Sequence, residues 1–145
     1  LLLQQGEVSG ARSVLERAKA RDARDPRVRV DLANLYRNSG DLARARAEAQ
    51  EALRLDPRSA EAKVAWGLVL GASGDEQGAA DAFRAALARK PDQPDALYYL
   101  AAVELRAGRA AAAVPLLERL IQKAPDYPEA KSALASARSA ARSPR

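Results

Sequence analysis

The sequence has 145 residues, of which 48% are hydrophobic and 4% aromatic, and its formal net charge is +5. It contains no Cys and no His, which excludes disulfides, thiolate metal sites and histidine-dependent catalysis. No apolar run approaches the ~18 residues needed to cross a membrane, so no membrane span is predicted. The basic excess is spread thinly along the chain, which disfavours a nucleic-acid-binding surface.

The first 25 residues contain one complete predicted helix. Residues 1–5 are predicted to be the last turn of an earlier helix whose start is missing, and Gly6 is predicted to turn the chain. From Val8 to Arg21, apolar or small residues recur at helical spacing. Residues 22–25 form a polar break. This stretch therefore corresponds to the second half of a helix pair.

Three longer segments follow, each with a helix, a glycine turn, a second helix and a proline stop. Asp25 and Ser59 are suited to cap helix N-termini, and Asp75 is expected to favour a helix N-terminus and not to catalyse. Pro115 is expected to kink its helix or delay its start. The predicted helices are Pro26–Ser39, Leu42–Leu55, Ala60–Ala72, Glu76–Lys90, Pro94 to about Ala107, and Ala110–Lys123.

The chain ends with a single predicted helix, Pro128–Ala140, followed by a short tail. A terminal repeat needs a polar outer face to stay soluble. The expected outer face of this helix is polar, so the helix is predicted to be a solvating cap. The polar residues are Lys131, Ser132, Ser136, Arg138 and Ser139.

Key residues recur along the chain at a step of 34 residues. Several series keep the same register, and a fixed period of this length is typical of repeat architectures. The series are Gly6, Gly40, Gly74 and Gly108; Ala11, Ala45, Ala79 and Ala113; Leu15, Ala49, Phe83 and Leu117; and Pro57, Pro91 and Pro125.

With this period and these residues, the sequence resembles the tetratricopeptide repeat (TPR) family. Residues 60–93 show the motif most fully, in Trp66-Gly67, Leu70, Gly74, Ala79, Phe83, Ala86 and Pro91. The resemblance implies an all-α fold, a right-handed α-solenoid of antiparallel helix pairs (a TPR superhelix). The sequence departs from the motif at Ala49, which replaces an aromatic, and at Glu104, which replaces Tyr. Looser packing is expected at both positions.

The resemblance also divides the chain into repeats. These are the second half of a truncated repeat (1–25), three full repeats (26–59, 60–93 and 94–127), and a C-terminal capping helix with a frayed tail (128–145). Counting the clipped first one, nine helical segments are expected.

In function, the resemblance implies a non-catalytic protein–protein interaction scaffold that holds a peptide or protein segment in its concave groove. The first helix of each pair lines that groove in the family. No catalytic residue, metal or cofactor is expected. The candidate peptide-binding residues are Arg27, Val30, Asn34, Arg37, Asn38, Glu61, Val64, Leu68, Asp95, Tyr98, Ala102, Leu105 and Arg106.

One subclass of the family is disfavoured. TPR domains that clamp a C-terminal carboxylate place Lys, Arg and Asn side chains at set groove positions. Here those positions keep Asn34 but otherwise hold Val30, Ala65, Asp95 and Tyr99, so a chain-terminal carboxylate would lack its cations.

Two alternative functions remain open. The chain could be a structural or self-associating docking tail of a larger protein, such as an enzyme or a secretion or envelope assembly factor. Apolar Leu1–Leu3 at the truncated N-terminal end would favour self-association. Nucleic-acid binding is less favoured. The compartment stays open between cytoplasm and periplasm, because a targeting segment could have been removed. The Ala- and Arg-rich composition favours a high-GC bacterial source.

Overall fold

The computed structural model describes residues 2–143, and side chains from residue 4 onward. Within this range the chain forms eight α-helices and no strand, which confirms the all-α prediction. The helices are α1 (Leu2–Arg21), α2 (Pro26–Asn38), α3 (Leu42–Leu55), α4 (Ala60–Ala72), α5 (Glu76–Arg89), α6 (Pro94–Arg106), α7 (Ala110–Lys123) and α8 (Ala130–Arg142).

The helices pack as a linear stack of pairs. The most extensive contacts lie within the pairs α2–α3, α4–α5 and α6–α7, and between α7 and α8. The second helix of each pair contacts the first helix of the next, and α2, α4 and α6 also contact one another in turn. Since no pair buries its apolar surface alone, stability comes from stacking.

Short polar and glycine signals set the helix ends. The Asp25 carboxylate accepts from the Arg27 backbone N–H at 2.9 Å, and Ser59 Oγ accepts from the Ala62 N–H at 3.0 Å. The Asp75 carboxylate likewise accepts from the Gly78 N–H, at 2.8 Å, so it caps the helix N-terminus near which the sequence placed its charge. The turn glycines Gly40, Gly74 and Gly108 have φ values of 84°, 90° and 78°. This left-handed conformation is open to glycine without steric cost.

The predicted turn at Gly6 is wrong. Gly6 lies inside α1, which is continuous from Leu2 to Arg21, and eight helices replace the expected nine in the described range. The lack of a capping Asp after Gly6 does not explain this, because Gly108 turns the chain although the following Arg109 makes no side-chain cap hydrogen bond. A continuing helix satisfies its own backbone hydrogen bonds, so a turn needs packing contacts to compete with it.

Two expectations in the C-terminal half also need correction. The helix expected at Pro128 begins at Ala130, after Glu129 adopts a left-handed φ of 63°. The preceding turn is held because the Tyr127 hydroxyl donates to Asp95 at 2.5 Å. Pro115 lies inside α7 but does not delay it, since α7 begins at Ala110 as predicted.

Small and large residues are matched across each helix pair. A Cβ added to Gly67 in α4 would lie 2.6 Å from Cε1 of Phe83 in α5, so the Phe83 ring occupies the space that a larger residue at 67 would need. Phe83 is only 2% exposed. Where the equivalent first-helix residue is Ala, the partner is smaller than Phe. Those pairs are Ala33 with Ala49, and Ala101 with Leu117.

The two departures from the TPR motif are closely packed, contrary to the expected looseness. Ala49 is fully buried, and Glu104 is 4% exposed. The Glu104 carboxylate accepts from Arg109 Nε at 2.5 Å and from Arg84 at 2.9 Å. The hydrogen bond from Arg109 lowers the pKa of Glu104. Two arginine side chains thus compensate for the tyrosine that the motif would place there.

Candidate functional site

The first helices α2, α4 and α6 together line one open groove. Its central part is a cavity of about 380 Å³ between these three helices. A second cavity of about 580 Å³ adjoins it at the N-terminal ends of α2 and α4 and shares Val30 and Glu61 with it. The central cavity is lined by Val30, Asn34, Arg37, Asn38, Glu61, Val64, Ala65, Leu68, Gln93, Asp95 and Tyr99.

Most of the candidate residues named from the sequence meet in this groove. Arg27 lines the second cavity, with Pro26, Asp31, Asp56 and Ser59. Val64 forms the floor of the central cavity, since it is 5% exposed and belongs to the apolar core. The candidates in the central cavity are Val30, Asn34, Arg37, Asn38, Glu61, Val64, Leu68 and Asp95.

The remaining α6 candidates, Tyr98, Ala102, Leu105 and Arg106, line neither cavity. Tyr98 packs on the Tyr127 ring at 5.2 Å and donates to Glu129 at 3.2 Å. Leu105 packs on the apolar cluster formed by α6, α7 and α8, and Arg106 pairs with Glu76 at 3.0 Å. At least two of these side chains, Tyr98 and Leu105, are engaged by the C-terminal end of the stack instead of the groove.

Three lining residues were not among the candidates: Ala65, Gln93 and Tyr99. Tyr99 stacks on Phe83, with ring centroids 5.9 Å apart, and so joins the core to the groove wall. Ala65 and Tyr99 are 34 residues apart and occupy the same repeat position. Both residues occupy groove positions of the carboxylate-clamping subclass, and that position is the sequence signal that could have added them to the candidates.

Three buried polar atoms of α2 have no hydrogen-bond partner: Arg29 Nε, Asn34 Oδ1 and Arg37 Nε. Of these three residues, Asn34 and Arg37 line the central cavity. Asn34 and Arg37 are three residues apart, so they lie on the same face of the helix. Buried polar groups in folded proteins nearly always find a partner, in the protein, in water or in a ligand. The groove therefore contains hydrogen-bonding capacity that the protein itself leaves unused.

Acidic residues cluster at the end of the groove where α2, α4 and α6 begin. Glu61 pairs with Lys90 at 2.5 Å, and this hydrogen bond lowers the pKa of Glu61. Asp95 is exposed and accepts from the Tyr127 hydroxyl. Burial raises the pKa of Asp31, and the nearby charge of Asp25 adds to the effect. The groove is thus acidic where the first helices begin.

The described residues include no group of three or more Asp and Glu side chains arranged to hold a metal ion. In residues 2–143, no helix combines the length and the apolar character that crossing a bilayer requires.

A profile of the tetratricopeptide repeat family matches residues 2–66 and 71–137. The chain belongs to the tetratricopeptide repeat family. This agrees with the resemblance drawn from the 34-residue period, and it assigns the stacked helix pairs to a TPR solenoid. No curated protein sequence matches the chain.

Several solved TPR structures are similar to this chain. A thermophilic TPR protein of Thermus thermophilus is 27% identical with a TM-score of 0.79, covering 93% of this chain and 75% of that one. YrrB, described as a TPR protein with an unusual peptide-binding site, is 26% identical with a TM-score of 0.72, covering 85% and 63%. The Thermobaculum terrenum O-GlcNAc transferase is 28% identical with a TM-score of 0.73, covering 81% of this chain and 22% of that one.

Proposed function

We propose that this TPR solenoid is a non-catalytic scaffold whose groove along α2, α4 and α6 binds an extended segment of a partner protein. The observation that carries the proposal is the buried, unpaired Asn34 Oδ1 in the wall of the central cavity. The likeness to YrrB, a TPR protein with a peptide-binding site, supports it.

Asn34 suits a peptide backbone because its amide provides both donors and an acceptor. A buried polar group without a partner costs roughly 1–3 kcal/mol, and a backbone N–H placed against Oδ1 would remove that cost. Val30 and Leu68 are half-buried beside Asn34 and supply apolar contact for a ligand side chain. Such a site combines an apolar surface with a few placed polar groups, as peptide and ligand sites commonly do.

The test is selection of a random 12-residue peptide library, displayed on phage, against the purified protein. Leu68→Arg would place a long charged side chain in the groove, and Ala88→Arg adds the same side chain at an exposed site on α5 outside it. We expect enriched peptides to lose binding to Leu68→Arg and to keep it with Ala88→Arg. Circular dichroism checks that both variants fold. Failure to enrich any peptide, or equal binding to both variants, would contradict the proposal.

A docking or self-associating role is the second candidate, favoured by the exposed apolar side of α1. Val8 is 44% exposed and Val14 64% exposed. The likeness to a fraction of a long O-GlcNAc transferase supports a place in a larger chain. The side chains of Leu1–Leu3, named in the self-association prediction, lie outside the described part of the structure.

Light scattering after size exclusion tests this second role. If α1 mediates self-association, the native protein runs as a dimer or larger species, and Val14→Lys converts it to a monomer. A native protein that is already monomeric at about 100 μM would rule out self-association as its main role.

A further inference from the structure

We propose that the groove selects partner segments that carry an acidic side chain and, about five residues away, a basic side chain. The acidic side chain binds Arg37, and the basic side chain lies at the acidic end of the groove, where α4 and α6 begin. This inference rests on the proposed peptide-binding function and specifies the partner that the groove accepts.

Arg37 is a cation without an ion-pair partner in the groove wall. It is half-buried, its Nε is buried without a hydrogen-bond partner, and it forms no ion pair among the described residues. Three other cations near the first helices are already engaged. Arg27 pairs with Asp25, Lys90 with Glu61, and Arg106 with Glu76. A guanidinium binds a carboxylate through two parallel hydrogen bonds, so an acidic side chain is the group that Arg37 fits best.

The carboxylate is assigned to a side chain and not to a chain end. Asn34, three residues before Arg37, provides a partner for backbone on the same cavity wall. A segment that satisfies both residues has backbone passing beside the bound carboxylate. The nearby groove residues Val30, Ala65 and Tyr99 carry no charge, so no second cation is present to compensate a terminal carboxylate.

The opposite end of the groove is negative, because Glu61 is paired with Lys90 but Asp95 forms no ion pair among the described residues. Glu61 and Asp95 line the same cavity as Arg37, but each is the second residue of its helix, whereas Arg37 is the twelfth residue of α2. The first helices run in the same direction, because each is followed by an antiparallel partner. At 1.5 Å per residue, ten residues separate the two ends by about 15 Å along the helix axes. An extended peptide covers that distance in about five residues.

The experiment repeats the selection of the random 12-residue phage library on four proteins. They are the native protein, Arg37→Glu, Arg37→Gln and the control Arg17→Glu, which reverses an exposed charge on α1 outside the groove. Arg37→Gln removes the charge with little change of shape. We expect native selections to enrich Asp or Glu, with Lys or Arg about five positions away. Arg37→Glu should replace the acidic preference by a basic one, and Arg17→Glu should leave it unchanged.

The best native peptide is then synthesised with either a free or an amidated C-terminus, and its binding is measured by fluorescence anisotropy. We expect equal affinity for the two forms and at least a tenfold loss with Arg37→Gln. A tenfold loss on amidation would move the carboxylate to the chain end and overturn the inference.

Failure of the inference and failure of the proposed function give different results. Groove-dependent peptides without an acidic residue, or an acidic preference that survives Arg37→Glu, would overturn the charge selection and leave peptide binding intact. Absence of any peptide sensitive to Leu68→Arg would overturn both.

Discussion

Residues at one equivalent position of different repeats are all buried, but they differ in chemistry. Tyr36, Leu70 and Glu104 are 34 residues apart and are all buried. Tyr36 is bonded to Glu16, whereas Glu104 is bonded by Arg84 and Arg109. Leu70 needs no partner because it is apolar. The repeat position therefore requires burial, and each polar occupant has recruited its own partners.

This view of Glu104 predicts losses of stability of different size for two substitutions. Glu104→Gln keeps the size of the side chain but removes the charge that Arg84 and Arg109 bind, and we expect a loss of about 1–3 kcal/mol in unfolding free energy. Glu104→Leu copies Leu70 and releases two half-exposed arginines to water, so we expect a smaller loss or none. Urea denaturation measures both. A larger loss for Glu104→Leu than for Glu104→Gln would show that the ion pairs of Glu104 are not the main source of its contribution to stability.

The matched pair Gly67 and Phe83 gives a second prediction at the residue scale. Gly67→Ala should destabilise by roughly 1–3 kcal/mol, because its Cβ would lie 2.6 Å from the Phe83 ring. Adding Phe83→Leu recreates the Ala101–Leu117 pair of the next repeat. In a double-mutant cycle, the double variant should therefore lose less unfolding free energy than the two single variants lose in sum. Strictly additive effects would contradict the direct contact.

At the scale of the element, α1 differs from the other second helices. The residues Ala45, Ala79 and Ala113 are at most 1% exposed under their first helices, whereas the equivalent Ala11 in α1 is exposed. No described helix packs on α1 in the way that α2 packs on α3. This difference explains why Gly6 continues a helix while Gly40 turns.

Replacing glycine by alanine should therefore stabilise the protein at Gly6 and destabilise it at Gly74. Gly6→Ala adds a Cβ that meets nothing within 4 Å, inside a helix, and should stabilise by about 0.5–1 kcal/mol. Gly74→Ala imposes a Cβ on a residue with φ of 90° and should destabilise by roughly 1–2 kcal/mol. Thermal unfolding followed by circular dichroism measures both. Destabilisation by Gly6→Ala would indicate that Gly6 turns the chain after all.

At the scale of the whole molecule, carboxylates tie the stack together. Glu61 joins the start of α4 to Lys90 after α5, and the pKa of Glu61 is lowered by that bond. The pKa of Glu16 is lowered by hydrogen bonds from Tyr36 and Lys19. Glu104 joins α6 to Arg84 of α5 and has a lowered pKa as well. These side chains are most stabilising when ionised.

This pattern predicts loss of stability on acidification. A carboxyl group whose pKa is lower in the folded state contributes fully above its unfolded pKa of about 4.3, and the contribution is lost as pH falls through the folded pKa. Asp31 acts in the opposite direction, since burial raises its pKa, but it is outnumbered. We expect the urea midpoint to fall between pH 6 and pH 3. The fall should be smaller in Glu104→Leu, and an unchanged or rising midpoint would contradict the prediction.

The sequence by itself determined the class of fold. The 34-residue period, the glycine turns, the Ser59 cap and the proline stops predicted α3, α4 and α7 to the residue, because these signals act over one helical turn. Through the family's repeat positions it also named eight of the eleven residues that line the central cavity.

Tertiary structure decided what local signals could not. Gly6 has the same repeat position as Gly40, and only the packing around each determines whether the chain turns there. Tyr98 has the same repeat position as Val30, yet its ring packs on Tyr127 instead of lining the groove. The unpaired state of Asn34 and Arg37 is likewise set by what surrounds them. In each case the outcome depends on neighbours that are distant in sequence, and a local sequence pattern does not specify them.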